Sequence, residues 1–159
     1  GLALAGMLKR RNAAATNDTV TELAFGAYNK TFKPNRTDYD WLSADEENVD
    51  AYMADPLCGQ DATVGLFYEM LSGIHFNQRR GNLERMDKTM PILLISGEDD
   101  PVGGMGAGVR QTYAEFKRAG ITDCTLKLYP GLRHELLNEK ARRDEVYQDI
   151  WSWMEEKLK

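Results

Sequence analysis

The sequence predicts an α/β fold in which a helical first half, residues 1–85, precedes two parallel strands with flanking helices in residues 86–159. Three observations support this prediction. The first half has apolar residues at helical spacing and contains no convincing strand. Residues 91–96, Pro-Ile-Leu-Leu-Ile-Ser, form a continuous apolar run, which is typical of a strand covered on both faces. Residues 124–129 alternate between apolar and polar side chains, which is typical of a half-exposed strand.

The first half is predicted to consist of helices joined by loops. Short helices cover residues 2–11 and about 18–28, and a loop follows over residues 31–42. Residues 43–46, Ser-Ala-Asp-Glu, match a capping box, and the helix that starts there ends before Pro56 because a residue that precedes proline avoids the helical conformation. The next helix has an apolar face formed by Val64, Phe67, Tyr68, Leu71 and Ile74.

The second half is predicted to run strand, helix, strand, helix. The helix between the strands stops at Gly120 and has an apolar face formed by Val109, Thr112, Tyr113 and Phe116. The closing helix has an apolar side formed by Val146, Ile150, Trp153, Met154 and Leu158. The strand at residues 91–96 needs a neighbour on each side, since a long apolar edge is avoided in soluble proteins. We therefore expect further strands that precede Gly1 or come from another chain.

Composition and charge exclude several classes of protein. The 159 residues carry a net charge of −5, which argues against a nucleic-acid binder because such proteins present a basic surface. The apolar stretch at residues 2–8 is far shorter than the about 20 residues that span a bilayer, and no secretory signal is visible. Cys58 and Cys124 make no disulfide framework. We therefore expect a cytoplasmic protein with no transmembrane segment and no nucleic-acid partner.

Candidate catalytic residues follow the two predicted strands. Glu98, Asp99 and Asp100 come directly after the first strand, and His134 follows the second. Adjacent parallel strands end at one edge of a sheet, about 4.8 Å apart, so a carboxylate of the first loop can reach the imidazole of the second. A carboxylate that holds one ring nitrogen of a histidine is the supporting half of an acyl-transfer triad. The nucleophile of such a triad sits in a G-x-S-x-G elbow, and none of the chain's serines has these glycines.

Two other kinds of site fit the sequence poorly. A zinc-protease helix needs a second histidine four residues after His134, and residue 138 is Asn. The glycine-rich residues 103–108 are followed by Val109, where nucleotide-binding loops need glycine or lysine, and the acidic residues before them would repel a pyrophosphate. The sequence therefore predicts no metal site and no cofactor.

The segments around these candidate residues resemble a known family. Gly-Glu-Asp-Asp-Pro-Val-Gly at 97–103 and Tyr-Pro-Gly-Leu-Arg-His-Glu-Leu-Leu-Asn-Glu at 129–139 resemble the C-terminal part of α/β-hydrolases of the lysophospholipase and monoacylglycerol lipase-like group, serine aminopeptidase S33. Residues 29–32, 37–42 and 52–59 resemble the helical cap of bacterial members. The resemblance covers essentially the whole chain.

This resemblance implies a role for each part of the chain. Residues 1–85 would be the helical cap and residues 86–159 the C-terminal part of the hydrolase sheet, with the N-terminal half of the fold missing. Asp100 would be the triad acid and His134 the base, while the family's nucleophilic serine and oxyanion-hole segment lie upstream of the cap. The chain on its own is then expected to be inactive.

The resemblance also implies the reaction, namely hydrolysis of an acyl ester or lipid by a serine hydrolase that needs no cofactor. Trp41, Phe67 and Met70 are candidates for the wall of an acyl pocket, although apolar residues at helical spacing belong more often to a core. Two alternatives stay open at this point. One is an S33 peptidase, and the other is a non-catalytic binding or assembly module on the same fold.

Overall fold

The computed structural model describes residues 1–158. Its elements, in chain order, are α1 (Leu2–Arg11), α2 (Asp18–Phe25), a 3₁₀ helix (Tyr28–Phe32), α3 (Glu46–Ala54), α4 (Val64–Asn77), α5 (Arg80–Leu83), β1 (Ile92–Gly97), α6 (Ala107–Arg118), β2 (Cys124–Tyr129) and α7 (Arg143–Lys157). This order confirms the predicted change from helices to strand, helix, strand, helix. Within residues 1–158, no helix combines the length and the hydropathy needed to cross a bilayer.

The two strands form a parallel pair, as predicted. Their register places Ile92 opposite Cys124 and Gly97 opposite Tyr129, so both strands end at the same edge of the sheet. Helix α6 connects the strands and packs against both of them. In the described part of the chain, β1 pairs with β2 alone. Residues 92–95 are also half-buried, so the expected cover on both faces is not provided by residues 1–158.

The core of the second half lies between the sheet and α7. It is formed by buried Tyr129, Leu132 and Val146, with partly buried Ile95, Leu136 and Ile150 packed against them. The hydroxyl of Tyr129 donates a 2.9 Å hydrogen bond to the Asp149 carboxylate of α7. Lys127 forms an ion pair with the same carboxylate. These contacts fasten α7 to β2 and so fix the segment that joins them.

In the first half, α1 packs against α4. The segment after α1 is tied to the start of α4, because the N–H groups of Val64 and Gly65 donate to the carbonyls of Ala15 (2.8 Å) and Ala13 (2.9 Å). A Cβ atom at residue 65 would lie 2.8 Å from the Ala13 oxygen, so this approach of the two backbones requires glycine.

Helix α3 begins later than the capping-box pattern predicts. Its N-cap is Asp45, whose carboxylate accepts a 3.0 Å hydrogen bond from the N–H of Glu47. Ser43 is buried, and its hydroxyl accepts from the N–H of Asp45 (3.0 Å) in the turn before the helix. The second helix is also shorter than predicted, since α2 ends at Phe25 and the 3₁₀ helix extends into the predicted loop.

Candidate active site

The loops that follow β1 and β2 lie against each other at the sheet edge where both strands end. We name them the Asp100 loop (residues 98–106) and the His134 loop (residues 130–142). A backbone hydrogen bond from Asp99 N–H to the Leu132 carbonyl (3.0 Å) joins them, and Glu98 N–H donates to the carbonyl of Tyr129 at the end of β2 (2.9 Å). A Cβ atom on Gly97 would overlap the carbonyl oxygens of Leu132 and Arg133. Glycine at the end of β1 is therefore what allows the two loops to meet.

This approach brings Asp100 and His134 into contact. Asp100 Oδ2 lies 3.1 Å from His134 Nδ1, a hydrogen-bonding distance. The other carboxylate oxygen of Asp100 accepts a 2.8 Å hydrogen bond from the N–H of Val102, which fixes the carboxylate in its own loop. The Asp100 side chain is 9 % exposed, whereas that of His134 is 39 % exposed. The pair thus has a buried acid behind an imidazole that solvent or a ligand can reach.

The environment of the imidazole favours its charged form. The hydrogen bond to Asp100 raises the pKa of His134, and burial of the ring opposes this effect only in part. The negative charges of Asp100 and Glu135 add to the increase. Burial, together with the Asp100 charge, also raises the pKa of Tyr28. A histidine in this setting is suited to accept a proton and to hold it.

The two acidic neighbours of Asp100 do not take its place. The carboxylate of Glu98 forms a 2.8 Å ion pair with Arg110 of α6. Asp99 contributes its backbone N–H to the Leu132 carbonyl. Of the three acids that follow β1, Asp100 is the one whose carboxylate lies at hydrogen-bonding distance from His134.

Aromatic rings from the first half lie beside the imidazole. The centroid of the Trp41 ring is 5.3 Å from that of His134. Tyr28 lies 5.3 Å from Trp41, and Phe25 lies 6.3 Å from Trp41 in a stacked arrangement. Phe67 of α4 joins the group through Phe25, at 5.7 Å. We refer to Phe25, Tyr28, Trp41 and Phe67 as the aromatic cluster.

The candidate pocket residues fall into different environments. Trp41 is half-buried and contacts the imidazole, whereas Phe67 is 2 % exposed and belongs to the core. Met70 is 43 % exposed on α4. Phe25 and Tyr28 are not predicted from the sequence as site residues. Their three-residue spacing was the available signal, but it falls where a helix ends and the pattern is weak.

The His134 loop is also bonded to residues 40–48, the turn before α3 and its first residues. The N–H of Glu135 donates to the Leu42 carbonyl (2.8 Å), and the Glu135 carboxylate accepts from Asn48 Nδ2 (2.8 Å). Arg133 donates from its guanidinium to the carbonyls of Asp40 and Ser43. These contacts bind the second half of the chain to the first at the site itself.

The glycine-rich residues 103–108 form a tight turn beside Asp100. Gly104 and Gly106 have φ angles of +61° and +79°, and the N–H of Gly108 donates to the Gly103 carbonyl (2.9 Å). The N–H of Met105 donates to the Asp100 carbonyl (2.8 Å), which closes the turn on the acid. Across residues 1–158, no group of three or more His, Cys, Asp and Glu side chains is arranged to hold a metal ion.

The chain is similar in sequence to known proteins. The family profile described as serine aminopeptidase, S33, matches residues 3–141. The monoacylglycerol lipase of Mycolicibacterium smegmatis is 34% identical over 122 residues, which covers 74% of this chain and 39% of that protein.

The fold is also similar to that of solved structures. A highly thermostable carboxyl esterase from Bacillus coagulans superposes with a TM-score of 0.88 at 25% identity, covering 97% of this chain and 50% of the esterase. A monoacylglycerol lipase from Paleococcus ferrophilus superposes with a TM-score of 0.69 at 21% identity, covering 96% of this chain and 50% of the lipase.

The chain therefore spans half or less of the length of these relatives, and it corresponds to part of an α/β-hydrolase fold. The family match includes both residues of the acid–imidazole pair and nearly all of the helical first half. This chain belongs to the serine aminopeptidase S33 family of α/β-hydrolases.

Proposed function

We propose that this chain supplies the acid and the base of a Ser-His-Asp triad in a carboxylic ester hydrolase of the lysophospholipase or monoacylglycerol lipase type. The observation that carries the proposal is the 3.1 Å contact between His134 Nδ1 and the buried carboxylate of Asp100. An imidazole held at Nδ1 has Nε2 left to exchange a proton with a nucleophile, which is the arrangement that acyl transfer requires.

In the proposed reaction, a serine hydroxyl attacks the carbonyl carbon of an acyl ester. His134 takes the serine proton on Nε2 and returns it to the leaving alcohol, and a water molecule then repeats the sequence to release the acid. Asp100 holds the ring in the tautomer with the proton on Nδ1 and stabilises the imidazolium that forms. The raised pKa of His134 reflects this stabilisation of the charged ring.

The nucleophile is proposed to come from outside residues 1–159. Ser43, Ser72, Ser96 and Ser152 all lack the flanking glycines of a G-x-S-x-G elbow. In the relatives, this chain corresponds to half of the length or less. A further part of the fold would thus carry the serine elbow and the oxyanion-hole donors, and it would also pair with the free edge of β1.

The substrate is proposed to be an acyl ester or a lipid. Trp41 borders the imidazole, so an acyl chain bound at the reacting centre would contact this ring. The named relatives are monoacylglycerol lipases and a carboxyl esterase, which supports an ester over other acyl compounds. A peptide substrate is the second candidate, since the family description is that of an aminopeptidase.

The test uses the complete natural protein and a series of p-nitrophenyl esters of increasing acyl length, beside an amino-acid p-nitroanilide. We expect ester hydrolysis and labelling by a fluorophosphonate, and we expect His134→Ala to lower kcat by at least about 10³-fold. The matched control is His75→Ala, because His75 is exposed on α4, and this variant should keep full activity.

Three results would count against the proposal. Full activity in His134→Ala would remove the base from the mechanism. Turnover of the anilide without turnover of the esters would favour the peptidase. Failure of the complete protein to react with either the substrates or the fluorophosphonate would favour a non-catalytic module on the same fold.

A further inference from the structure

Two side chains of the His134 loop, Arg133 and Glu139, are bonded to the first half of the chain. Glu139 is 3 % exposed. One of its carboxylate oxygens accepts hydrogen bonds from the N–H of Ala44 (2.9 Å) and from the N–H of Arg133 (3.2 Å). A carboxylate is rarely buried this deeply unless it is well hydrogen-bonded. Glu139 therefore joins the turn before α3 to the residue that precedes His134.

Arg133 also joins the His134 loop to the turn before α3, but as a donor where Glu139 is an acceptor. Its guanidinium donates to the carbonyl oxygens of Asp40 and Ser43, the latter at 3.1 Å. The guanidinium carbon lies 3.9 Å from the centroid of the Phe32 ring, a cation–π arrangement. The side chain of Arg133 thus contacts the first half of the chain, while its backbone is joined covalently to His134.

The turn that receives Arg133 is held by hydrogen bonds of its own. The carboxylate of Asp40, 8 % exposed, accepts from the N–H of Arg36 (2.6 Å) and from the hydroxyl of Thr37 (2.6 Å). Burial raises the pKa of Asp40, but the hydrogen bonds from Thr37 and Arg36 outweigh it and leave this pKa below its usual value. These hydrogen bonds hold the backbone that carries the Asp40 carbonyl, one of the acceptors of Arg133.

On the other side of His134, the N–H of Glu135 donates to the Leu42 carbonyl (2.8 Å). Residues 133 and 135, on either side of His134 in the chain, are thus both bonded to one turn, residues 40–44. The ring is held separately by Asp100. The contacts of residues 133 and 135 can therefore determine where the His134 ring lies relative to the Asp100 carboxylate.

We propose that Arg133 and Glu139 are positioning residues that fasten His134 to the turn at residues 40–44, so that its imidazole stays aligned with Asp100 and beside Trp41. Neither residue is catalytic, since neither contacts the reacting groups. The inference rests on the proposed function, because positioning matters for rate only if His134 is the base. Placing a reacting group about 1 Å away from its productive position can cost about 10²-fold in rate.

The key variants are Glu139→Leu and Glu139→Gln in the complete natural protein. Leucine removes the acceptor of both N–H groups, and we expect kcat for a p-nitrophenyl ester to fall about 10- to 100-fold while KM changes less than about threefold. Glutamine keeps an acceptor oxygen at the same place and is expected to restore kcat to within about threefold of the natural protein. This rescue separates the hydrogen bonds from the charge.

A second pair of variants covers the case in which Glu139→Leu does not fold. Arg133→Met keeps an unbranched apolar stem against Phe32 but removes the donors to Asp40 and Ser43, and it should reduce kcat by at least about tenfold. Arg142→Met is the matched control, because Arg142 donates to the Pro130 carbonyl (2.6 Å) in the same loop without reaching the first half. It should leave kcat within about twofold.

A readout that does not depend on turnover separates this inference from the proposed function. The NMR titration of the His134 ring, assigned by its disappearance in His134→Gln, reports its contact with Asp100, with Glu135 as the other acid that acts on it. In Arg133→Met we expect the pKa of His134 to move down towards 6.5, its ordinary value. In Arg142→Met it should not move.

The possible results are distinct. If the complete protein hydrolyses no ester but the pKa of His134 falls in Arg133→Met, the proposed function fails and the positioning contact stands. If Arg133→Met lowers the melting temperature while kcat and the pKa of His134 stay unchanged, the contact is merely structural and the inference is overturned. Loss of kcat in Arg142→Met equal to that in Arg133→Met would overturn it as well.

Discussion

Gly97 and Leu132 lie so close together that a side chain on residue 97 would overlap the carbonyl oxygen of Leu132. The obstacle is backbone, which cannot rotate away as a flexible side chain does. Gly97→Ala should therefore force the Asp100 loop and the His134 loop apart. We expect a loss of about 1–3 kcal/mol in the free energy of unfolding, measured by urea denaturation, because overpacking a tight contact has this cost.

The control for this prediction is Gly73→Ala. A Cβ atom at residue 73 would have no atom within 4 Å, and Gly73 lies inside α4. Alanine favours a helix over glycine by about 1 kcal/mol, so Gly73→Ala should be neutral or stabilising. Equal stability of Gly97→Ala and Gly73→Ala would show that the loops do not need the glycine.

The contacts of Asp149 with Tyr129 and Lys127 predict that this side chain stabilises the packing of α7 on β2. Asp149 accepts from Tyr129 (2.9 Å) and pairs with Lys127, and the hydrogen bond from Lys127 lowers the pKa of this carboxyl. Asp149→Asn should reduce the free energy of unfolding at neutral pH by about 1 kcal/mol, a modest value because the pair is partly solvated. Asp144→Asn is the matched control, since its side chain is 94% exposed.

The sign of the pH dependence follows from the direction of the shift. A carboxyl with a lowered pKa stabilises the fold above its ordinary pKa of 3.8, and this contribution disappears as the pH falls through the value in the folded protein. The difference in stability between the natural protein and Asp149→Asn should therefore shrink as the solution is made acidic. A constant difference down to low pH would contradict the role given to the charge.

Much of the fold could be predicted because it depends on local pattern. The apolar run of β1 and the alternation in β2 identify the strands, and parallel pairing of their ends then places Asp100 near His134. We expected β1 to lie between two strands, but within residues 1–158 it pairs with β2 alone.

The rest of the site could not be predicted because its partners are backbone groups. Arg133 bonds to the carbonyl of Asp40, which lies 93 residues away in sequence, and Glu139 bonds to the N–H of Ala44. Every residue has a carbonyl and all but proline an N–H, so nothing in the sequence identifies which of them a side chain will meet. The predicted start of α3 was wrong for a related reason. Ser43 and Asp45 are both good N-cap residues, and the helix begins after Asp45 because Ser43 lies in the buried turn.

The contact between Asp100 and His134 predicts the pH dependence of the proposed reaction. Neutral imidazole accepts the serine proton, so kcat/KM should rise with pH through the pKa of His134, which Asp100 raises. In Asp100→Asn this rise should shift to lower pH, towards 6.5. The maximal kcat should fall by up to about 10⁴-fold, because asparagine no longer selects the correct tautomer.

The same contact affects stability with the opposite sign from Asp149. A histidine with a raised pKa stabilises the fold below its ordinary value of 6.5, and this contribution is lost as the pH rises through the value in the folded protein. The natural protein should therefore lose stability relative to Asp100→Asn across this interval in urea denaturation. No relative change there, together with an unshifted activity profile, would show that the two side chains do not interact in solution.

The position of Trp41 beside the imidazole predicts how acyl length affects the rate. Its ring centroid lies 5.3 Å from that of His134, so the acyl chain of the proposed ester substrate should contact it near the reacting carbonyl. We expect Trp41→Ala to lower kcat/KM by about 10-fold or more for long-chain p-nitrophenyl esters, since each buried methylene contributes about 0.8 kcal/mol. The loss should be smaller for the acetate ester, which has few atoms to place against the ring.

Met70→Ala provides the comparison, because Met70 was predicted to line the same pocket but is 43 % exposed on α4. If only Trp41 borders the substrate, Met70→Ala should change kcat/KM by less than about twofold at every acyl length, within the small range usual for exposed positions. Equal losses in Trp41→Ala for short and long esters would instead mean that the ring acts on His134 itself. The acyl chain would then have to bind elsewhere, against residues outside the aromatic cluster.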